Sequence, residues 1–409
     1  LYTCTDATTD ANVWTNVGGG SGNLQSNTLP GMPDDNFVSS LTMNTSNYNH
    51  IFVGGTDTGS SNSDIAGAVT HYVVDQISNA ALTVATSEVA AGSAHVFTTG
   101  SVGSDTNVTF RVRSKDNEGG FSADRIISLI VNAFTGAVAT GGSVSTQGDY
   151  KVHTFTTSGP FTVTNAGSEG TVEHLTVAGG GAGGFYNRGG GGGAGGLLTG
   201  TTSVTETTYN IVVGAGGTTS GSGWSATSTS GNDSTFSTIT STGGGRGGSA
   251  YPLDGGSGGG GGADGGSSTY FGLGTAGQGN NGGQQAFIQP VGAAGGGGGA
   301  GAVGANASNY QAGNGGVGLA NSISGSSVLY AGGGGGGCQQ DAAQGAGGDG
   351  GGGRGSRGGA GDAQFLQSIA GTTNTGGGGG GSGYSSSSGA SHNASTGGSG
   401  IVIIKYKFQ

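Results

Sequence analysis

Short β-branched and aromatic segments, separated by polar turns, recur through residues 34–133. Six such segments fall at 50–53, 69–74, 81–84, 95–98, 108–112 and 126–131. In the fifth, Val108, Phe110 and Val112 alternate with polar residues, a period of two that buries one face of a strand and exposes the other. Several short strands at this spacing predict a β-sandwich domain.

From residue 151 onward, the strands become fewer and lead directly into glycine. Segments 152–156 and 161–163 predict a hairpin across residues 158–160. Segments 172–177 and 209–213 each run straight into a glycine cluster, and the chain closes on an apolar strand at 401–408. We expect Ile401, Ile403 and Tyr406 to lie in a strand that pairs with strands near 152–177, because an unpaired apolar strand would be an aggregation-prone edge.

Glycine runs fill the spaces between these later strands. The chain has 409 residues and 102 glycines, of which 81 lie in residues 175–409. Five runs hold at least five consecutive glycines, at 189–193, 258–262, 295–299, 332–337 and 376–381. A glycine run by itself is typical of a flexible linker, but linkers have no reason to recur between the strands of one domain. The recurrence favours polyglycine-II helices, which are extended threefold helices whose backbone groups bond to neighbouring helices.

Together these patterns predict an all-β protein: an immunoglobulin-like β-sandwich followed by a glycine-rich domain of short β-strands and packed polyglycine-II helices. Residues 1–33 are interpreted as a linker or the end of an upstream module, and 34–133 as the sandwich. Residues 134–150 are interpreted as a hinge, and 151–409 as the glycine-rich polyglycine-sandwich domain. The chain opens at Leu1 with neither an initiator methionine nor a signal peptide, so we expect a fragment or a processed product.

Charge is scarce and unevenly distributed. Charged residues make up 8% of the chain, against about 25% in a typical soluble domain, which suits a secreted or virion surface. Residues 1–174 hold 15 acidic and 5 basic residues, whereas residues 175–409 hold 7 and 6. Neither part offers the basic patch that nucleic acid requires. Cys4 and Cys338 form no disulfide framework, and no apolar stretch reaches the roughly 18 residues of a membrane span.

Motifs that resemble functional sites are explained by composition. Residues 255–259 match the GxSxG nucleophile motif, but they lack the strand before it and the helix after it. Arg188, Arg246 and Arg357 each precede Gly-Gly, as in RNA-binding segments, yet their region carries almost no net positive charge; we expect them to bond carbonyls at the ends of glycine helices. We predict a protein that is not an enzyme and has no cofactor. Asp116 and its neighbours are interpreted as a solvated turn, with a calcium site as the alternative.

Two sets of motifs resemble known families. The glycine-rich part is similar to the C-terminal domain of bacteriophage tail-fibre proteins, and in plan to the tail-fibre-tip adhesins of T-even-like phages, through segments 153–156, 172–181, 213–217 and 397–404. That resemblance implies a sandwich of polyglycine-II helices with receptor-binding loops between the glycine motifs. Segment 109–116, followed by Gly119, Gly120 and Ser122, resembles the last hairpin of fibronectin type III and related immunoglobulin-like modules.

The segments between the glycine runs combine aromatic rings with neutral amides, as adaptable binding loops do. We expect them to cluster at one end or face of the domain; they are 249–254, 267–291, 305–311, 338–344 and 384–396. The candidate receptor-contact residues are Tyr251, Tyr270, Phe271, Phe287, Tyr310, Gln339, Gln340, Tyr384 and His392. The alternative role for these aromatic residues is to cap the ends of the glycine helices.

These features predict a tail-fibre or adhesin-type protein, extracellular or on a virion surface, that binds a host surface glycan or outer-surface protein through the loops between glycine runs. The other expected partners are virion or fibre subunits, or further copies of the chain in a homo-oligomer. No nucleic acid and no membrane insertion are expected. The alternative is a structural extracellular fibre or matrix protein that self-assembles without binding a receptor.

Overall fold

The computed structural model describes residues 69–100, 104–115, 119–220, 227–249, 251–263, 270–288, 291–308, 310–339, 342–358, 366–385 and 393–409, with residues 51–52 and 102 and the short strands given below. The chain forms two compact units, Leu1–Thr135 and Gly136–Gln409. Every regular element in the described residues is a β-strand, and no helix occurs among them. The predicted all-β class is therefore confirmed.

The described residues of the first unit form three sheets. Its strands are β1 (Tyr2–Asp6), β2 (Ala11–Asn16), β3 (Asn27–Thr28), β4 (Ser40–Thr42), β5 (Tyr48–His50), β6 (His71–Asp75), β7 (Leu82–Val84), β8 (Glu88–Ala90), β9 (His95–Thr99), β10 (Thr106–Lys115) and β11 (Arg125–Asn132). Strands β1, β2 and β3 form one sheet, the order β4-β11-β10-β6-β8 forms a second, and β5-β9-β7 forms a third. The five-stranded and three-stranded sheets of β4–β11 share one hydrophobic core.

The predicted alternation in β10 is present. Val108, Phe110 and Val112 are fully buried, and Phe110 packs against Phe97 of the other sheet with ring centroids 5.4 Å apart. On the opposite face of the same strand, the Arg111 guanidinium donates to both carboxylate oxygens of Asp75, at 2.7 and 2.8 Å. These hydrogen bonds hold the pKa of Asp75 below its ordinary value. One face of the strand therefore builds the core, and the other carries surface ion pairs.

In the part of the second unit that the structure describes, there are two larger sheets and five two-stranded hairpins. The strands are β12 (Val138–Thr140), β13 (Ser143–Gln147), β14 (Tyr150–Phe155), β15 (Gly159–Asn165), β16 (Thr171–Val177), β17 (Leu197–Ser203), β18 (Thr208–Ile211), β19 (Thr219–Ser220), β20 (Thr227–Ser228), β21 (Ser234–Phe236), β22 (Ile239–Ser241), β23 (Ala286–Ile288), β24 (Val291–Ala293), β25 (Leu319–Asn321), β26 (Val328–Tyr330), β27 (Tyr384–Ser385), β28 (Ala390–Ser391) and β29 (Ile401–Lys407). The larger sheets have the orders β13-β14-β29-β16-β17 and β12-β15-β18, and each remaining pair of consecutive strands forms a hairpin.

The C-terminal strand β29 lies at the centre of the five-stranded sheet. It pairs antiparallel with β14 on one side and with β16 on the other, so the predicted return of the chain end onto strands near 152–177 is confirmed. Val402, Ile404 and Tyr406 face one hydrophobic cluster, whereas Ile401 and Ile403 face another. A strand buried on both faces needs a continuous apolar sequence rather than an alternating one, which is what residues 401–404 provide.

The hairpin predicted between segments 152–156 and 161–163 is wrong. Strand β14 pairs with β13 and β29, whereas β15 pairs with β12 and β18 in the other sheet. The turn between them carries the chain from one sheet to the other, and Phe155 and Phe161 meet in the core between the sheets, with ring centroids 6.3 Å apart. Residues 134–150, interpreted from composition as a hinge, contain β12 and β13, which supply one strand to each of these sheets.

The glycine runs lie outside the strands and are hydrogen-bonded to one another. The N–H groups of run 189–196 donate to three neighbouring runs in rotation, while its carbonyls accept from others. Gly190 and Gly193 donate to Gly248 and Gly245, Gly191 and Ala194 donate to Gly295 and Gly298, and Gly192 and Gly195 donate to Gly379 and Gly376, at 2.8–3.0 Å. Every third residue therefore faces the same neighbour, and the backbone groups of the run find partners in all three directions.

This packing leaves no room for side chains at the contact positions. A methyl group built on Gly191 would overlap the Gly334 carbonyl, and one built on Gly297 would overlap the Gly192 carbonyl. The same holds along the described runs, where the atoms that a Cβ would meet first are mostly backbone carbonyls of neighbouring runs. Glycine is required here by close backbone approach rather than by a left-handed conformation.

Candidate binding surface

The connections between the glycine runs alternate between two ends of the second unit. Run 178–184 leaves the five-stranded sheet at the end of β16, and run 189–196 returns to it at the start of β17, so residues 185–188 lie at the opposite end. We call the end with the five-stranded sheet the sheet end, and the end with residues 185–188 the loop end. Tyr186 and Asn187 both have positive φ values there, 67° and 49°, in a backbone region uncommon for residues other than glycine.

Arg188 joins several loops at the loop end. Its carbonyl accepts a hydrogen bond from the Ala263 N–H at 2.9 Å, and its guanidinium donates to Gln339 Oε1 at 2.9 Å. The guanidinium carbon lies 5.8 Å from the centroid of the Tyr384 ring. A methyl group built on Gly292 would lie 2.8 Å from Arg188 Cδ. One arginine therefore contacts the segments around residues 263, 292, 339 and 384.

Further hydrogen bonds bring the remaining connections to the same end. The Gln339 N–H donates to the Gly292 carbonyl at 3.2 Å, and the Ala343 N–H donates to the Tyr310 carbonyl at 2.8 Å. The Ser249 hydroxyl bonds the Phe185 carbonyl, which ties the start of segment 249–254 to the turn before Arg188. The loop end thus includes residues from each of the five segments predicted to cluster.

One segment is divided between the two ends. Within 267–291, Tyr270 lies near the loop end, but Gln278 lies at the sheet end, where its carbonyl accepts from the Leu197 N–H at 3.0 Å. Its side-chain oxygen also accepts from the Thr242 N–H at 2.7 Å. The chain then returns to the loop end before β23. The reason is that residues 270–285 contain two further passes along the glycine runs, in which the glycines are single or paired rather than in a long run.

The candidate contact residues differ in exposure. Tyr251, Tyr270 and Tyr310 are 67%, 54% and 58% exposed, whereas Gln339 is only 7% exposed and is bonded to Arg188. The remaining described candidates, Phe271 and Tyr384, are half-buried. Phe287 belongs to β23, with its side chain outside the described part, and Gln340 and His392 lie outside the described residues. Among the described candidates, the exposed residues are thus the three tyrosines. Gln339 is instead a buried residue that supports the loops through its hydrogen bond with Arg188.

Two exposed leucines were not among the candidates. Leu253 and Leu273 are 44% and 52% exposed, and they lie in the same segments as Tyr251 and Tyr270. The sequence contained a pattern from which the exposure of these leucines could have been predicted. Because the contact positions of the glycine runs accept no large side chain, a leucine in a short segment between two runs either caps a run or faces solvent. The Arg188 guanidinium donates to the side-chain oxygen of Gln339, and the expected bonds of Arg188, Arg246 and Arg357 to carbonyls of the glycine helices stay a prediction.

Cys338 is a buried free cysteine at the loop end. Burial raises the pKa of the Cys338 thiol to about 12, with nearby Arg357 opposing the shift, so the thiol is protonated at neutral pH. No cluster of three or more His, Cys, Asp or Glu side chains suited to a metal occurs in the part of the chain that the structure describes, and Asp116 lies outside it. In that same part, no helix has the length and hydropathy of a membrane span.

Titratable groups at the sheet end are part of the core. His153 Nδ1 lies 2.7 Å from the Gly141 carbonyl, its Nε2 lies 3.0 Å from the Tyr406 hydroxyl, and the two rings stack with centroids 5.4 Å apart. Burial lowers the pKa of His153 and of His174, and it raises the pKa of Tyr406. Each shift favours the neutral form, as expected for groups that stabilise a sheet interface.

The fold and the loop end define a glycine-rich all-β protein that presents exposed aromatic residues on connections between hydrogen-bonded glycine runs. The chain matches the glycine-rich domain family over residues 154–407, more than half of its length, and it belongs to that family. No curated protein sequence matches the chain.

Proposed function

We propose that this protein is a non-enzymatic adhesin of the phage tail-fibre type, which binds a host cell surface through its loop end. The observation that carries the proposal is that residues from five chemically varied segments meet at one end of a scaffold made largely of backbone. The glycine runs offer few side chains with which to discriminate between ligands. Specificity in such a molecule has to come from the connections, and these hold the exposed tyrosines.

We infer that the glycine runs are packed polyglycine-II helices. The support is the three-residue repeat of hydrogen-bond partners, since this helix has three residues per turn and no internal hydrogen bonds. Run 189–196 bonds to a different neighbouring run at each of three successive positions. Such a scaffold holds its connections rigidly, because the backbone of every run is fixed by its neighbours.

We also infer that the first unit is an immunoglobulin-like module that acts as a spacer before the adhesin. Two facing sheets around one core support this assignment, as does the resemblance of segment 109–116 to fibronectin type III hairpins. The proposed location is the virion surface or another extracellular site. Partners would be a host surface glycan or outer-surface protein and other fibre subunits.

The proposal is tested by adsorption of the fluorescently labelled full chain to a panel of bacteria. A loop-end variant carries Ser in place of Tyr251, Tyr270 and Tyr310. The matched control carries Ser in place of Val144, Val303 and Leu329, which are 53%, 62% and 41% exposed and lie at the sheet end. Thermal unfolding of both variants is measured, so that a loss of adsorption is not confused with a loss of folding.

We expect the loop-end variant to lose at least about tenfold in apparent affinity, which corresponds to roughly 1.4 kcal/mol, while the control adsorbs like the wild type. Adsorption should change little with salt, since charge contributes little to the loop end. If the loop-end variant adsorbs as well as the wild type, the adhesin proposal fails. The structural-fibre alternative then takes its place, and light scattering would detect its self-assembly.

A further inference from the structure

Two short segments that run beside residues 255–262 are fixed side by side on one glycine. The Gly259 N–H donates to the Leu253 carbonyl at 3.1 Å, and the Gly259 carbonyl accepts from the Gly272 N–H at 2.8 Å. The segments also bond to each other, because the Gly255 N–H donates to the Leu273 carbonyl at 3.1 Å. Gly259 itself is held in the glycine packing, since a methyl group built there would overlap the Arg246 carbonyl.

This arrangement brings Tyr251 and Tyr270 level with each other. Each tyrosine lies two residues before the residue that bonds to Gly259, and the two ring centroids are 5.6 Å apart with an interplanar angle of 52°. Pro252 follows Tyr251 and restricts the backbone of that tyrosine to extended conformations. Both rings are more than half exposed, so two rigidly held rings form an open corner at the surface.

Leu253 and Leu273 follow the rings by two and three residues in the same segments, and they are 44% and 52% exposed. We call Tyr251, Leu253, Tyr270 and Leu273 the aromatic patch. The carboxylate adjoining the patch is that of Asp254, and its Oδ1 accepts a hydrogen bond from the Leu273 N–H at 2.7 Å. A negatively charged group next to the patch disfavours anionic ligands, and the apolar surface favours a ligand with an apolar face.

The area of the aromatic patch distinguishes between a protein partner and a glycan partner. Side chains of these types, each about half exposed, offer on the order of 400 Å², roughly half of the 800 Å² that each partner contributes to a stable protein interface. A sugar ring needs far less area. It presents a face of C–H groups that stacks on an aromatic ring, and hydroxyls around its edge that remain in contact with water.

We infer that the aromatic patch is a subsite for a neutral hexose-containing glycan, with one sugar ring stacked on Tyr251 or Tyr270. This inference rests on the proposed adhesin function and names the ligand class and the residues that bind it. Gln339 and Tyr384, which contact Arg188, position the loop end and do not touch the sugar in this assignment.

The test uses the full chain on a glycan array that carries neutral hexose and N-acetylhexosamine oligosaccharides beside sulfated and uronate-bearing counterparts. The variants are Tyr251→Ala, Tyr270→Ala and the conservative Tyr251→Phe. The matched control is Val303→Ala, because Val303 is similarly exposed, at 62%, but lies at the sheet end. Thermal unfolding is recorded for all four.

We expect the wild type to bind neutral glycans. Binding should fall at least about tenfold in Tyr251→Ala or Tyr270→Ala and should remain in Tyr251→Phe and Val303→Ala. None of the four variants should change the melting temperature. Periodate treatment of host cells, which cleaves sugar diols, should abolish adsorption, whereas protease treatment should not. Binding to anionic glycans alone, no glycan binding, or adsorption that is lost after protease treatment would each overturn the inference.

The failure of this inference is distinguishable from failure of the proposed function. If both patch variants adsorb to cells normally but the variant that lacks Tyr251, Tyr270 and Tyr310 does not, the patch is not the subsite and the adhesin function stands. If the variant that lacks all three tyrosines also adsorbs normally, the adhesin function itself fails.

Discussion

Replacing Gly297 by Ala tests the packing of the glycine runs directly. The Gly297 N–H donates to the Gly334 carbonyl at 2.8 Å, and its carbonyl accepts from the Gly316 N–H at 2.9 Å. The added methyl group would overlap the Gly192 carbonyl of a third run. The run must therefore move away from residue 192, and that movement strains or breaks the bonds to residues 334 and 316.

The expected cost follows from these contacts. Overpacking a well-packed interior costs about 1–3 kcal/mol, and leaving one buried backbone group without its partner costs about 1–3 kcal/mol more. The sum of about 2–6 kcal/mol is a large part of the roughly 5–15 kcal/mol that stabilises a typical domain. For a unit of this size, it corresponds to a decrease in melting temperature of roughly 4–12 °C. Gly297→Val should cost more, because its branched side chain meets the same carbonyl.

Differential scanning calorimetry of the full chain measures the change. The matched control is Gly200→Ala in β17, where a methyl group would meet only His174 Nε2, at an ordinary contact distance of 3.5 Å. The control should stay within about 1 kcal/mol of the wild type. A Gly297→Ala protein that melts within about 1 °C of the wild type would falsify the reasoning, because a close-packed run cannot accept the methyl group without cost.

Three further predictions concern the sheet end and the loop-end support. Burial lowers the pKa of His153 and His174 in the folded protein. The stability that these residues contribute should therefore be complete above about pH 6.5 and should fall as the pH drops from there toward the lowered pKa values of the folded state. An NMR titration in which either ring takes up its proton at the ordinary pKa would contradict this prediction. Deleting residues 401–409 removes the central strand and should abolish soluble folding of the second unit, whereas soluble protein with unchanged melting refutes its central role. Arg188→Lys should lower stability by about 1–3 kcal/mol, because lysine lacks the planar group that contacts Gln339 and the Tyr384 ring. A double-mutant cycle with Gln339→Ala should give a coupling energy of at least about 0.5 kcal/mol. Strictly additive stability changes would argue against the contact between Arg188 and Gln339.

The exposure of the tyrosines and the burial of the C-terminal strand could be predicted from the sequence, because local composition determines both. Residues 401–404 are apolar at every position, which requires a strand buried on both faces, and the sheet clusters contain both sets of side chains. Tyr251, Tyr270 and Tyr310 are large residues in segments between glycine runs, and runs that touch through their backbones leave large side chains few places except the surface. Likewise, the alternation of apolar and polar residues in β10 predicted that Phe110 and Arg111 lie on opposite faces of the strand.

The tertiary structure alone decided which segments meet. Segments 152–156 and 161–163 have the local pattern of a hairpin, yet Phe155 and Phe161 join two different sheets because the core between those sheets buries both rings. The convergence of loops on Arg188 depends on which glycine run lies beside which, and glycine residues carry no side chains that could encode a neighbour. The sequence thus determined that the runs pack and that their connections face outward. Only the three-dimensional arrangement determined that Tyr251 and Tyr270 stand together, because their separation is set by backbone hydrogen bonds to Gly259 rather than by their own side chains.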